Sequence, residues 1–156
     1  MPHISVIIPV YNAGNYIVDT LNSVLQQTLK DIEVIVVNDG SNDQSLAECY
    51  RLQEIDKRII IINQDNQGVS KARNVGKQNA TGDYIIFIDA DDELDCRMLE
   101  ILYTQARKTD SDISVCGVDR IFEKKQEEKK KYHCNYEEIT VDRAIEWLLL
   151  GQKIES

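Results

Sequence analysis

The sequence predicts an α/β fold with a mainly parallel central sheet and helices on both faces. Apolar residues recur at helical spacing between apolar runs that begin near residues 4, 32, 59, 84 and 113. This regular strand–helix alternation favours βαβ units with right-handed crossovers. The run Tyr84–Ile88 is unbroken, which predicts a central strand buried on both faces. We expect a single domain over residues 1–156.

The first three elements follow from the apolar pattern alone. Ile4–Val10 is the first predicted strand, and Pro9, which cannot donate to a ladder, is expected at its exit. A helix is predicted over residues 15–27, where one buried face is formed by Ile17, Leu21, Val24 and Leu25. Ile32–Val37 is the second predicted strand.

Capping and turn signals set the next elements. Ser41 and Gln44 fit a capping box, which predicts a helix that ends near Ile55. The third strand is predicted over Ile59–Ile62, and a third helix over Val69–Asn79.

Three acids follow the fourth strand directly. They are Asp89, Asp91 and Asp92, and ligands bind at the carboxyl ends of strands in open α/β sheets. Two carboxylates about 4 Å apart repel by roughly 4 kcal/mol at an effective dielectric of about 20. A hard divalent cation with oxygen ligands would neutralise Asp89 and Asp91. For Asp92, the simpler role of capping the next helix is favoured.

The last third of the chain has a weaker pattern. A fourth helix is predicted over Asp95–Lys108 and a fifth strand over Ile113–Val118. The mixed charges of Glu123–Lys131 favour a solvated loop or hairpin tip over a membrane-binding patch. A last helix is predicted over Val141–Leu150, with Thr140 as its cap.

Charge and composition argue against several classes of protein. The formal net charge of −9 argues against sequence-independent binding to nucleic acid. Because the 4 cysteines are widely spaced and only 2 histidines are present, we expect no zinc site, but buried free thiols in a reducing cytoplasm. No stretch resembles a signal peptide or is long enough to cross a bilayer. We therefore expect a cytoplasmic protein.

The residues at three strand exits are expected to converge in one crevice. The exits are Val10–Tyr11–Asn12, Asp39–Gly40–Ser41 and Asp89–Ala90–Asp91. A tyrosine can offer a flat face to a base, and an aspartate can accept from a ring N–H or a ribose hydroxyl. Acids with a cation can hold a pyrophosphate, so the set predicts a nucleotide-diphosphate site. Taken singly, Tyr11 is more often a core residue and Asp39 a turn former.

The third helix is expected to bring one basic residue to this crevice. Lys71 and Arg73 are two positions apart and point to different faces of the helix, so only one can turn inward. We favour Arg73, because a guanidinium suits phosphate or a base carbonyl. Lys71 is then an exposed charge.

Several signatures of other enzymes are missing from the sequence. No GxGxxG follows the first strand, which argues against a dinucleotide oxidoreductase, and no GxxxxGK[ST] is present, which excludes an ordinary P-loop. His3 and His133 lie near the extremities of the chain, so no Ser-His-Asp or Cys-His set can be assembled.

Four segments in register resemble the consecutive motifs of family 2 glycosyltransferases of the GT-A fold. They are ISVIIPVYNAGNYIVDTLNSVLQQT, IEVIVVNDGSND, NQGVSKARNVG and GDYIIFIDADDEL. The resemblance implies a nucleotide-diphospho-sugar donor, most often a UDP-sugar, and Mg²⁺ or Mn²⁺. It implies that Pro9–Asn12 line the base pocket, that Asp39 contacts the base and that Arg73 helps to hold the nucleotide. It also implies that Asp89 faces the ribose and nearby sugar while Asp91 binds the metal.

The resemblance implies inverting glycosyl transfer to a hydroxyl of a glycan or lipid-linked acceptor, as in cell-envelope polysaccharide biosynthesis. A carboxylate base must take the acceptor proton. In the family this base lies further along the chain than the matched motifs, so we expect it beyond Ser156; Glu137 and Glu138 are the nearest late acids. We expect a donor-binding part of a larger transferase, with an incomplete acceptor side and membrane contact at the inner face through regions not present.

Other interpretations of the strand-end acids stay open. A nucleotidyltransferase also uses such acids and a metal, but usually needs a basic, Gly-rich loop where this chain has Tyr11–Asn12–Ala13–Gly14. A receiver-type signalling module needs paired acids after the first strand, which ends in Pro9–Val10. A non-catalytic sugar-nucleotide-binding domain would carry the same residues as the transferase.

Overall fold

A computed structural model describes residues 1–117, which form one unit. Its elements alternate in the order β1 (Ile4–Val10), α1 (Ile17–Leu25), β2 (Ile32–Asp39), α2 (Ser45–Ile55), β3 (Ile59–Gln64), α3 (Val69–Asn79), β4 (Tyr84–Phe87) and α4 (Met98–Thr109). The predicted alternation is confirmed over these residues. α1 is shorter than predicted, because the backbone N–H groups of Tyr16 and Ile17 both donate to the carbonyl of Ala13 in a turn that precedes the helix.

The strands form a parallel sheet in the order β3–β2–β1–β4. β1 and β2 lie in its middle and are buried along their length, apart from the half-buried Glu33. The register pairs Val10 with Asn38 and Asp39 with Gln64, so the residues at the strand ends lie side by side. The predicted α/β architecture with a mainly parallel sheet is confirmed.

The position of β4 differs from the prediction. Within residues 1–117, β4 pairs only with β1, so it lies at an edge of the sheet and not at its centre. Its side chains alternate: Tyr84 and Ile86 pack against the larger core, whereas Ile85 is 39% and Phe87 44% exposed. Within residues 1–117 the prediction of a central strand buried on both faces is wrong, because an unbroken apolar run does not reveal which face of a strand a helix will cover.

Helices cover both faces of the sheet, as predicted. On one face α1, α2 and α4 enclose the larger core, in which Leu21 and Leu99 are fully buried. On the other face α3 packs on β1 and β2, with Ala72 against Ile7. A Cβ atom at Gly76 would collide with Cγ2 of Ile7, so α3 lies very close to β1. Full burial of each aliphatic side chain contributes about 1.5–3 kcal/mol, and this packing fixes where the strand ends lie.

The predicted capping box does not form. α2 begins at Ser45, and Gln44 makes no side-chain cap hydrogen bond. Instead the carboxylate of Asp43 accepts from the backbone N–H of Ser45 (2.9 Å), while the hydroxyl of Ser41 accepts from the backbone N–H of Asn12 (3.1 Å). The prediction failed because Ser41 makes a contact between two loops and not one within its own helix.

The predicted cap of the fourth helix is also wrong. α4 begins at Met98, several residues after Asp92. The carboxylate that accepts a backbone N–H at this helix start belongs to Asp95, which bonds to the N–H of Arg97 at 2.9 Å. Asp92 therefore remains beside the other acids at the end of β4.

The predicted strand Ile113–Val118 is not present in its described part. Residues 111–117 contain no strand, and Ile113 and Val115 are exposed. The charged run Glu123–Lys131, the helix Val141–Leu150 with its cap Thr140, and the acids Glu137 and Glu138 lie outside the described residues.

The expectation of buried thiols holds for one of the described cysteines. Cys49 is buried, whereas Cys96 and Cys116 are exposed. Burial, together with the nearby charges of Glu48 and Asp43, raises the pKa of the Cys49 thiol to about 12. None of the helices within residues 1–117 has the length and apolarity needed to cross a bilayer.

Candidate functional site

The carboxyl ends of the parallel strands meet at one edge of the sheet, where the loops after β1 and β2 are bonded together. The backbone N–H of Asn12 donates to the hydroxyl of Ser41 (3.1 Å), and the backbone N–H of Asn42 donates to Oδ1 of Asn12 (2.8 Å). Asn12 has a φ of 51°, a left-handed conformation that asparagine tolerates better than most residues. The predicted convergence of the first two strand exits is thus present.

The next residues of the same loop are held by the start of α2. The backbone N–H of Ala13 donates to Oγ of Ser45 (2.8 Å), and the backbone N–H of Gly14 donates to Oδ2 of Asp43 (2.9 Å). Ser45 is fully buried, so its hydroxyl is a fixed acceptor for the loop. Neither Asp43 nor Ser45 was predicted from the sequence as a site residue.

The predicted base-pocket segment has a buried and an exposed half. Pro9 and Val10 are buried in β1, and the side chain of Val10 belongs to the larger core. Tyr11 is 51% exposed, and Asn12 is exposed beside it. Only Tyr11 and Asn12 therefore present side chains at the edge of the sheet, and the ring of Tyr11 is accessible for stacking.

Asp39 ends β2 with its carboxylate almost fully buried, at 3% exposure. Oδ1 accepts from the backbone N–H of Gln67 (2.9 Å) and from Nε2 of Gln64 (2.6 Å), and Oδ2 accepts from the backbone N–H of Gly68 (2.8 Å). Burial alone raises the pKa of this carboxyl, but the three hydrogen bonds outweigh burial and lower it below its usual value. Asp39 is therefore ionised at neutral pH and anchors the loop between β3 and α3.

Gln64 has spare hydrogen-bonding capacity beside Asp39. Its Oε1 atom is buried and finds no hydrogen-bond partner within residues 1–117. A buried unpaired acceptor is costly, and such groups are uncommon outside sites that receive a ligand or water. Gln64 was not predicted as a site residue, although its register partner is Asp39.

Arg73 reaches the end of β4 from α3. Its Nη2 atom lies 2.6 Å from Oδ1 of Asp89, in an ion pair whose side chains are 38% and 53% exposed. Nε of Arg73 is buried and has no partner in the described part of the chain. Lys71 is exposed on the same helix, as predicted. The structure thus supplies Asp89 with a positive partner from the protein itself.

In the described part of the chain, no salt bridge reaches Asp91 or Asp92, the other acids after β4. Ala90 is buried, and its carbonyl accepts from the hydroxyl of Thr20 (2.9 Å), which fixes the acidic loop to α1. Asp91 is exposed and has no side-chain partner in residues 1–117. Burial, followed by the charges of Asp91 and Asp89, raises the pKa of Asp92. The residues described, 1–117, therefore leave negative charge uncompensated at this edge.

This charge and the oxygen donors of Asp89 and Asp91 fit a divalent cation such as Mg²⁺ or Mn²⁺. However, residues 1–117 contain no group of three or more His, Cys, Asp or Glu side chains that could hold a metal ion. A cation here would need further oxygen ligands from outside these residues. The diphosphate of a bound nucleotide has oxygens of this kind.

A parallel α/β sheet with polar and acidic loops along its carboxyl edge is a fold that binds its ligand at that edge. The family model described as glycosyl transferase family 2 matches residues 5–154 of this chain. The glycosyltransferase GlyA of Streptococcus pneumoniae serotype 4 is 46% identical over 112 residues, which cover 72% of this chain and 16% of GlyA. This chain therefore belongs to glycosyl transferase family 2, as the sequence motifs predicted.

Solved structures agree with the family. S. aureus TarS 1-349, crystallised in complex with UDP-GlcNAc, superposes with a TM-score of 0.66 at 30% identity, over 77% of this chain and 37% of that one. The mannosyltransferase PcManGT from Pyrobaculum calidifontis, in complex with GDP-Man and Mn²⁺, superposes with a TM-score of 0.58 at 27% identity, over 62% of this chain and 29% of that one. The GT-A fold is confirmed, and this chain spans less than half the length of each of these relatives.

Proposed function

We propose that this chain carries the donor-binding part of an inverting glycosyltransferase. The enzyme would move a sugar from a nucleotide-diphospho-sugar, most simply a UDP-sugar, to a hydroxyl of a glycan or lipid-linked acceptor. The observation that carries the proposal is that Tyr11, Asp39 and Asp91 lie at the carboxyl ends of β1, β2 and β4, where Arg73 pairs with Asp89. The family and the UDP-GlcNAc complex of TarS support a donor of this class.

The nucleotide would lie across the ends of β1, β2 and β4. The half-exposed ring of Tyr11 offers a face to the base. A carboxylate has about four lone-pair sites, of which Gln64, Gln67 and Gly68 occupy three at Asp39. One site is left for a base N–H. Nε of Arg73 has no partner among residues 1–117, and through it Arg73 would bond to the nucleotide while it stays beside Asp89.

The divalent cation would be held by Asp91, with Asp89 next to it, and completed by diphosphate oxygens. When bound, such a cation supplies positive charge to the leaving diphosphate. The structural neighbour PcManGT was solved in complex with GDP-Man and Mn²⁺, which supports this part of the proposal. Because Asp89 already has Arg73 as a partner, Asp91 is the carboxylate whose loss should matter most to the cation.

The acceptor side of the reaction is not assigned to residues 1–117. A carboxylate has to take the proton of the attacking hydroxyl on the face opposite the leaving group. We place this base beyond Ser156, and the reaction at the inner face of the membrane in cell-envelope polysaccharide biosynthesis. Sugar-transfer assays test the placement: if this chain alone turns over at the roughly 1–1,000 s⁻¹ of ordinary enzymes, the base lies within it.

Calorimetric titration with UDP, with and without Mn²⁺, tests the donor site. We expect UDP to bind more tightly with Mn²⁺, and Mn²⁺ alone to bind weakly, because the protein ligands are too few without diphosphate. Asp91→Ala should abolish the Mn²⁺-dependent gain, since it removes the carboxylate that has no competing partner among residues 1–117. Asp83→Ala is the matched control, because Asp83 is an exposed acid that precedes the same strand at its other end.

Two outcomes would contradict the proposal. One is that the wild-type chain does not bind UDP under either condition. The other is that Asp91→Ala keeps the full response to Mn²⁺. A non-catalytic sugar-nucleotide-binding domain is the remaining alternative, and it predicts the same calorimetry without any transfer once the acceptor side is supplied.

A further inference from the structure

Asp43 and Ser45 form a hydrogen-bonded pair, the Asp43–Ser45 pair, beneath the loop that follows β1. The hydroxyl of Ser45 donates to Oδ1 of Asp43, and its oxygen accepts the backbone N–H of Ala13. Oδ1 also accepts the backbone N–H of Ser45, and Oδ2 accepts the backbone N–H of Gly14. Two side chains thus fix two consecutive N–H groups of a loop that lies about 30 residues earlier in the chain.

The Asp43–Ser45 pair carries a negative charge and lies in close contact with the loop backbone. The hydroxyl of Ser45 and the backbone N–H groups lower the pKa of Asp43 below its usual value, although burial opposes them. Hydrogen bonds to an ionised acceptor are about twice as strong as neutral ones. A Cβ atom added to Gly14 would lie 3.0 Å from Oδ2 of Asp43, so the loop backbone is in close contact with this carboxylate.

The segment that the Asp43–Ser45 pair holds, Ala13 and Gly14, begins immediately after Tyr11 and Asn12. Asn12 itself is in the left-handed region and bonds to the loop after β2 on both its N–H and its Oδ1. A strained residue keeps its conformation only when its surroundings determine it. If Ala13 and Gly14 were released, Asn12 could return to an ordinary conformation, and the ring of Tyr11 would lose its fixed direction.

We propose that Asp43 and Ser45 are positioning residues for the nucleotide pocket, which they shape through the backbone of Ala13 and Gly14 without touching the ligand. This inference rests on the proposed function, because the pocket is the proposed donor site. It assigns a role in donor affinity to side chains that would otherwise be counted as the start of a helix.

Glu33 offers a matched control at the opposite end of the sheet. Its Oε1 accepts from the hydroxyl of Ser5 (2.6 Å) and from the backbone N–H of Thr81 (2.6 Å). The chemistry is therefore the same, a carboxylate with a serine hydroxyl and a backbone N–H, and its pKa is also lowered. Glu33→Gln and Asp43→Asn should both reduce thermal stability, but only the second lies beneath the pocket.

The experiment measures UDP affinity by calorimetry and melting temperature for the full chain and four variants. Asp43→Asn and Ser45→Ala are expected to weaken UDP binding by about tenfold, the loss typical of one misplaced or unmade hydrogen bond. Ser45→Thr keeps the hydroxyl and should restore most of the affinity. Glu33→Gln should melt at a lower temperature and yet bind UDP within about twofold of the wild type, since an affinity change of that size is a few tenths of a kcal/mol.

The outcomes separate this inference from the proposed function. If the wild-type chain does not bind UDP, the proposed function fails, and the inference fails with it. If the wild type binds but Asp43→Asn and Ser45→Ala bind equally well, the inference alone is overturned. Equal losses of affinity in Glu33→Gln and Asp43→Asn would also overturn it, because they would show a general effect of stability.

Discussion

The two ends of the parallel sheet use the same polar groups to different effect. At the amino end, Glu33 bonds to Ser5 and Thr81, and the backbone N–H of Gly82 donates to the hydroxyl of Ser5 (2.8 Å). Glu33 there joins the starts of β1 and β2 to the segment that precedes β4. A network with these partners joins three strands and offers little to a ligand.

At the carboxyl end, polar capacity is left over. Asp91 has no side-chain partner in residues 1–117, and Nε of Arg73 and Oε1 of Gln64 are buried without one there. Burial and nearby acids raise the pKa of Asp92. Unpaired buried groups and repelling charges lower stability, and they tend to persist at sites that bind something. At the amino end, Nη1 of Arg58, just before β3, is also buried without a partner in residues 1–117. The two ends therefore differ in their acids: Glu33 is hydrogen-bonded, whereas the charges of Asp91 and Asp89 raise the pKa of Asp92. On this difference we assign folding to the amino end and ligand binding to the carboxyl end.

Gly82→Ala should have the largest effect on stability, and it tests the amino end. A Cβ atom at Gly82 would lie 2.7 Å from the backbone nitrogen of Ser5, which cannot move without disturbing β1. We expect the free energy of unfolding to fall by about 3 kcal/mol, at the upper end for overpacking. Urea denaturation measures this change. Gly68→Ala is the control, because its Cβ would meet no atom within 4 Å and only its φ of 88° is unfavourable.

The proposed division between the two ends of the sheet would be contradicted if Gly82→Ala changed UDP affinity as much as stability. We expect folded Gly82→Ala to bind UDP like the wild type, because the clash lies at the start of β1, several residues before this strand reaches the carboxyl edge of the sheet. Gly68→Ala should show the reverse, with a smaller loss of stability and a clear loss of affinity. Gly68 donates its backbone N–H to Asp39 at the proposed pocket.

Asp39→Asn should have the next largest effect, and it is dependent on pH. The amide cannot accept from all the groups that the carboxylate serves, and an unsatisfied buried N–H costs about 1–3 kcal/mol. Because the folded-state pKa of Asp39 is lowered, its contribution is complete above the unfolded value of about 3.9 and is lost as the pH falls through the folded value. The gap in melting temperature between wild type and Asp39→Asn should therefore be largest at neutral pH.

Melting curves between pH 7 and pH 3 check this prediction. Glu33→Gln should show the same trend with pH, since the pKa of Glu33 is lowered too. The two variants should differ in UDP binding, which only Asp39→Asn is expected to lose. A gap that widens towards acid pH would contradict the assignment of an ionised Asp39.

The sequence was sufficient to predict the alternation of strands and helices. β1 and β2 are apolar on both faces, and α3 begins and ends at the predicted residues, because local apolar period and turn residues determine these features. The position of β4 at the edge of the sheet that residues 1–117 form was not predictable in the same way. An apolar run favours a strand, but which strand lies beside it and which helix covers it depends on contacts distant in sequence.

The sequence predicted several residues of the candidate site, but not the hydrogen bonds that hold the site together. Asp39, Arg73 and Asp89 were predicted because they follow strands or face a crevice, and the structure brings them to one edge. Asp43 and Ser45 were missed, since their partners lie in a loop about 30 residues away. The Ser41–Asp43–Ser45 spacing was the available signal, whereas the predicted capping box uses only Ser41 and Gln44.

Arg73→Met should change UDP affinity much more than stability. The Arg73–Asp89 pair is partly exposed, so its loss should cost less than about 1 kcal/mol of unfolding free energy. Methionine keeps the methylene packing of the arginine stem. We expect UDP binding to weaken by about tenfold, the effect of one charge-assisted hydrogen bond. Calorimetry and urea denaturation of the same samples measure the two effects.

Arg51→Met is the control for a general loss of positive charge. Arg51 pairs with Glu48 on the surface of α2, at 2.7 Å, away from the proposed pocket. It should leave UDP binding unchanged. Equal affinities for wild type and Arg73→Met would remove Arg73 from the donor site and leave it as a partner of Asp89 alone.

Asp92→Asn should have the smallest effect on the free energy of unfolding. Whether this free energy rises or falls tests the proposed difference between the two ends of the sheet. Because burial and the charges of Asp91 and Asp89 raise the pKa of Asp92, its charged form is disfavoured in the folded protein. Removing this charge should raise the free energy of unfolding by about 0.3 kcal/mol at neutral pH, the size typical of exposed charge pairs. Melting temperature measures the gain, and Asp83→Asn at the amino end of β4 should show none. With UDP and Mn²⁺ bound, the gain should disappear, because the cation would then offset the repulsion. A lower melting temperature for Asp92→Asn would mean that this carboxylate is needed for folding, and the proposed division between the ends of the sheet would no longer hold.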